Sequence, residues 1–123
     1  MKNLLVASTS TLYGGTYLSY LMEEISIHFK DTNEIVFIPY ARPGGISHDQ
    51  YTAIAAEAFS KIGKKIIGLH SFKNPEAALK IAKGVFVGGG NTFVLVKQLY
   101  TFRLMKTLRE KILKGLPYLG TSA

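Results

Sequence analysis

The chain has 123 residues, of which 47% are apolar, enough to bury one core of ordinary domain size, and no linker-like or low-complexity stretch divides it. The absence of cysteine excludes disulfides and thiolate chemistry, and no apolar run approaches the roughly 20 residues of a bilayer span, so no membrane partner is expected. A net charge of +7 raises the question of an anionic partner, but the basic residues are dispersed and the pattern argues against nucleic acid.

In chain order, Met1-Lys2-Asn3 leads directly into a strand-like run at Asn3–Ala7 and not into a signal sequence, so a cytoplasmic protein is expected. Further short runs rich in β-branched and aromatic residues fall at Glu34–Pro39, Lys65–Leu69, Gly84–Gly88 and Tyr118–Gly120. Helical spacing lies between them. The clearest helix spans Ser47 to Ile62, with Tyr51, Ile54, Ala55, Ala58, Phe59 and Ile62 on one stripe. Ser47 and Gln50 form a capping box there, and Gly63 occupies the left-handed position after the last turn. Asn74-Pro75 opens a shorter helix that Gly84 closes. A third run covers Phe93–Tyr100. Arg103, Lys106, Arg109, Lys111 and Lys114 then alternate with Leu104, Met105, Leu108 and Ile112, as the solvated face of an amphipathic helix does.

Strands alternating with helices predict an α/β fold, a mainly parallel, doubly wound sheet covered on both faces, in a single domain over residues 1–123 or part of a longer one. Ligands of such sheets bind beyond the carboxyl ends of the strands, which singles out Ser8–Gly15, Gly88–Thr92 and Gly120–Ala123. The chain stops just after its fifth strand. We therefore expect that strand to lack a covering helix and an outer neighbour, as in a truncated domain, and its open edge could pair with a second copy.

Gly88-Gly89-Gly90-Asn91-Thr92 follows a strand and precedes a helix, so its amides can converge on a negative charge. The alternative is a plain turn with Asn91 or Thr92 as an N-cap. As an anion site it suits either the oxyanion of acyl transfer or a phosphate group. Gly120-Thr121-Ser122-Ala123 favours the former, because a serine between small residues at a strand end has the form of a nucleophile elbow, lacking here only the final glycine.

Together these segments resemble peptidase E, the α-aspartyl dipeptidase family of serine peptidases (family S51). The likeness is carried by Leu4-Leu5-Val6, Ser8-Thr9-Ser10-Thr11-Leu12, Val36-Phe37-Ile38-Pro39-Tyr40-Ala41, Asp49-Gln50-Tyr51-Thr52, Val87 to Phe93 and Tyr118 to Ala123. It implies a fold similar to class I glutamine amidotransferases and cleavage of dipeptides with N-terminal aspartate, with no metal and no cofactor. Ser122 matches the nucleophile. Gly90 and Ala123 match the backbone oxyanion donors, and Gly89, Asn91 and Thr92 are candidate substrate contacts. The family's triad acid and histidine lie beyond the serine, so this 123-residue chain is expected to be inactive or nearly so.

The remaining titratable residues point to no second site. His28 and His48 read as surface groups, and His70, at a strand end, is the least improbable substitute base. Asp49, Glu57, Glu76 and Glu110 read as capping or solvated carboxylates, with no metal constellation. Arg42 could meet a carboxylate, though a surface position is the plainer reading. Two other functions stay open: a flavodoxin-like ligand-binding module holding a flavin phosphate at Ser8-Thr9-Ser10-Thr11 and Gly14-Gly15-Thr16, and a non-catalytic pseudoenzyme.

Overall fold

A computed structural model of the chain describes residues 3–7, 21–41 and 45–121. Each expected strand is present to within a residue at either end: β1 (Asn3–Ala7), β2 (Glu34–Ile38), β3 (Lys65–Gly68), β4 (Val85–Val87) and β5 (Pro117–Thr121). The helices are α1 (Met22–His28), α2 (His48–Ser60), α3 (Pro75–Ile81), α4 (Thr92–Thr101) and α5 (Met105–Leu113). The capping signals act as read. Ser47 Oγ accepts from Gln50 N while Gln50 Oε1 accepts from Ser47 N, and Asn74 Oδ1 accepts from Ala77 N ahead of Pro75. Gly63 takes φ +72° two residues beyond the C-cap of α2, a conformation that L side chains resist.

All five strands are parallel, in the order β1-β5-β4-β2-β3. Successive residues of β2 serve opposite faces. Ile35 and Phe37 pack with Ile25 of α1 and Phe29 just beyond it, and with Tyr51, Ala55, Ala58 and Phe59 of α2. Val36 and Ile38 pack with Ala78 and Leu79 of α3, Leu99 of α4 and Leu108 of α5. The doubly wound reading is therefore met. One member of the α2 stripe departs from it: Ile54 is exposed, and the buried positions are Tyr51, Ala55, Ala58 and Phe59.

The expectation for the fifth strand was wrong in a specific way. β5 is not an edge: it lies between β1 and β4, with Asn3 opposite Pro117 on one side and Val87 opposite Gly120 on the other. Its faces are covered too, since Leu119 joins the core beneath α1 and α2 while Leu116 and Tyr118 pack on the opposite side. The chain returns into the middle of the sheet, so the exposed fifth-strand edge through which two copies were expected to pair does not exist. The described edges are β1 and β3.

This order creates a crevice. α2 leaves β2 on one face of the sheet, whereas α4 leaves the adjacent β4 on the other, so the carboxyl ends of β2 and β4 diverge at a topological switch point. The glycine-rich segment sits there.

Candidate active site

The segment 88–91 is held on three sides by bonds to its backbone. Gly88 N donates to Ile38 O at 3.1 Å and Asn91 N to Ala41 O at 2.9 Å, which tie both ends to β2 and the turn after it. Between them, Gly89 N donates to Thr121 Oγ1 at 2.7 Å, and Gly89 O accepts from Tyr51 Oη at 3.0 Å. The loop is thereby anchored to β2, β5 and α2 together. Among the described residues, the Gly90 N–H has no hydrogen-bond partner. Its residue adopts φ 142°, open to glycine and rarely to any other residue.

Asn91 is the N-cap of α4, its Oδ1 accepting from Val94 N at 3.1 Å. The ordinary capping role and an anion-site role are thus compatible, because the cap occupies Val94 N and leaves the Gly90 amide uncommitted among the described residues, next to the positive end of the α4 dipole. Asn91 and Thr92 are exposed and can be reached by a substrate. Gly89 is corrected: it is buried and its N–H is already engaged by Thr121, so it supports the loop and does not present its amide to a ligand.

Close packing makes Gly88 obligatory. A Cβ built there lies 2.5 Å from Tyr51 Oη, and the Tyr51 ring cannot swing aside because it is buried and packed edge-on against Phe37 at 4.9 Å. Gly88→Ala is expected to cost about 1–3 kcal/mol in a urea melt, the usual range for overpacking. A stability within about 0.3 kcal/mol of wild type would contradict the packing described.

The histidines divide by place. His70 Nε2 meets Asp49 Oδ1 at 2.6 Å, so Asp49 is no mere first-turn charge: it links the start of α2 to the end of β3. β3 lies three strand spacings from β5, roughly 14 Å at about 4.8 Å per spacing, and His70, just after β3, is therefore remote from the described end of β5. His48 packs between Tyr40 and His70, with ring centroids 5.4 and 5.3 Å away. Burial pushes the Tyr40 phenol above its ordinary range and keeps it protonated. His28 is half-buried, not at the surface. Its Nε2–H donates to Tyr118 O at 2.8 Å near the opposite end of β5, and burial lowers its pKa while that bond works the other way.

Ser122, Ala123, Arg42 and the segments Ser8–Thr11 and Gly14–Thr16 lie outside the described residues. Thr121, the residue before Ser122, is described, and its hydroxyl grips the glycine loop. Sequence reasoning missed that grip, the Tyr51 hydroxyl bond and the Asp49–His70 pair. Tyr51, whose hydroxyl stands in an otherwise wholly apolar helix stripe, was the available signal, since a buried phenol needs a partner. Among the described residues, no group of three or more His, Asp or Glu side chains is placed to hold a metal ion, and no helix is long and apolar enough to cross a membrane.

Known proteins supply the context. The chain is 42% identical over 125 residues to a Drosophila melanogaster protein named "Probable alpha-aspartyl dipeptidase", covering 99% of this chain and 51% of that one. It is 40% identical to peptidase E of Shewanella oneidensis, over 98% of this chain and 51% of the relative. The chain thus spans about half the length of these relatives. In fold it matches a crystal structure of a peptidase from an acI-B1 Actinobacterium, with a TM-score of 0.72 at 18% identity, covering 97% of this chain and 52% of that one. A Listeria monocytogenes EGD-e protein bearing a peptidase E name gives a TM-score of 0.73 at 23% identity, over 99% of this chain and 59% of that one. A family model described as peptidase family S51 matches residues 4–123, and on that match the chain belongs to this family of peptidases.

Proposed function

We propose that the chain carries the nucleophile and oxyanion half of a serine dipeptidase acting in the cytoplasm on small peptides with N-terminal aspartate. Ser122 attacks the scissile carbonyl, and the N–H groups of Gly90 and Ala123 receive the oxyanion, with Asn91 and Thr92 on the substrate side of the crevice. The observation that carries this reading is the Gly90 N–H, unpartnered among the described residues, on a loop bonded directly to Thr121, the neighbour of Ser122 in sequence. The family match and the names of the relatives support the substrate class. A serine hydroxyl needs a base to take its proton. His28 bonds near the opposite end of β5, and His48 packs on His70 beside β3, so the base and its acid partner are assigned to sequence beyond these residues, as the family resemblance implies.

The test compares Asp-Leu, Ala-Leu and Leu-Asp as substrates for the protein expressed from its gene, with and without a chelator. Release of leucine from Asp-Leu alone, unaffected by the chelator, is expected. Residues 1–123 expressed alone should be slower by about 10³-fold or more, the cost of leaving a serine without its base. Chelator-sensitive hydrolysis, or equal rates on Ala-Leu, would overturn the reading.

A further inference from the structure

The bond from Tyr51 Oη to Gly89 O has a consequence for the neighbouring residue, because the Gly89 carbonyl and the Gly90 N–H belong to one peptide unit. That unit is planar and, as no cis bond occurs among the described residues, trans, so its C=O and N–H point in opposite directions. Whatever fixes the oxygen aims the amide. Here the oxygen is fixed by a phenol that is 2% exposed, 3.0 Å away and wedged edge-on against Phe37.

We propose that Tyr51 is a positioning residue, which holds the Gly89–Gly90 peptide in the orientation that presents the Gly90 N–H to the oxyanion, with Thr121 as its second grip. The inference rests on the oxyanion reading of Gly90. Glycine on both sides is what makes such a clamp necessary. With no Cβ at either position, the peptide can rotate as a unit through compensating changes at ψ of Gly89 and φ of Gly90 without the clashes that lock other residues. In the rotated form the carbonyl oxygen replaces the N–H on the crevice side, and a hydrogen-bond donor becomes an acceptor that repels a developing negative charge. Three features oppose rotation. Tyr51 holds the oxygen, and Thr121 Oγ1 holds the Gly89 N–H at 2.7 Å, fixing the preceding peptide. The bond from Asn91 N to Ala41 O fixes the following one. Donation by the phenol also polarises the shared peptide, which strengthens Gly90 as a donor. Tyr51 touches neither substrate nor reacting atoms in this scheme; it acts through the peptide it holds.

Tyr51→Phe keeps the ring that fills the space over Gly88 and removes only the hydroxyl. In the isotopically labelled 123-residue chain, its expected signature is a shifted or doubled Gly90 amide signal and a displaced Gly89 carbonyl carbon, within an otherwise wild-type spectrum. Thr121→Val, which leaves Tyr51 untouched, is the second variant and should also perturb Gly90, so the clamp remains testable if the first variant does not fold. Wild-type Gly89 and Gly90 signals in a folded variant overturn the proposal. In the protein expressed from its gene, Tyr51→Phe should lower kcat on Asp-Leu by about 10- to 100-fold, somewhat less than the loss of a whole oxyanion donor, with KM within about twofold. A merely structural role would instead change stability and leave kcat alone. If Ser122→Ala is inactive while Tyr51→Phe keeps full kcat, the clamp is wrong and the serine reading stands. If Ser122→Ala stays active, the serine reading fails, and the Gly90 signals alone decide the clamp.

Discussion

Ser122→Ala is expected to lower kcat/KM for Asp-X dipeptides by four to six orders of magnitude, roughly the loss seen when a serine enzyme loses its nucleophile. The size follows from what remains. Binding and the Gly90 amide survive the substitution, so a residual rate above that in water persists, but no covalent path is left. A loss of tenfold or less would mean that another group attacks the carbonyl. Circular dichroism of the variant, expected to overlay on wild type, separates lost chemistry from lost folding. Product release with no burst, where wild type shows one, would place the serine in an acyl-enzyme step.

Phe86→Ala is expected to have the largest effect on stability, about 3–5 kcal/mol in chemical denaturation. Phe86 is fully buried on β4, the middle strand, with its ring 4.8 Å from Phe37 and stacked on Phe59 at 5.3 Å. Removing it empties the point where β2, β4 and α2 meet. For a domain held by roughly 5–15 kcal/mol, such a loss leaves it close to unfolding at room temperature. Phe93→Ala makes the control, since that ring, at the start of α4, is 88% exposed and its loss should cost under about 0.5 kcal/mol. Equal effects at the two positions would contradict the assignment of the core.

The sequence was most readable where short-range physics decides the structure. The Ser47–Gln50 box, the Asn74-Pro75 start and Gly63 each act through neighbours a few residues away, and each is found where expected. Strand order was not readable in this way, because it depends on which distant segment fills a gap. Even so, the unbroken apolar run at Tyr118–Gly120 held a hint: strands buried on both faces of a parallel sheet read as continuous apolar runs, and that argued for an interior place over an edge. The candidate site divides similarly. Gly90 was proposed as an oxyanion donor from its motif, but the hydroxyls that hold its loop come from Tyr51 on α2 and Thr121 on β5, 38 and 32 residues from Gly89. The Asp49–His70 pair escaped for the same reason, each partner looking ordinary within its own segment.

The position of β5 also governs the order of assembly during synthesis. β1 is made first, yet its described strand partner begins at Pro117, opposite Asn3. At ~5–20 residues per second, β1 waits roughly 6–23 s for that partner to be synthesised. Once Val87 has been made and until β5 follows, β4 also lacks its β5 neighbour, so the nascent sheet has an open gap lined by Val85, Phe86 and Val87. The apolar edge of β4 is therefore closed only once β5 has been made, and an arrest of synthesis before Pro117 would leave that edge open to another chain.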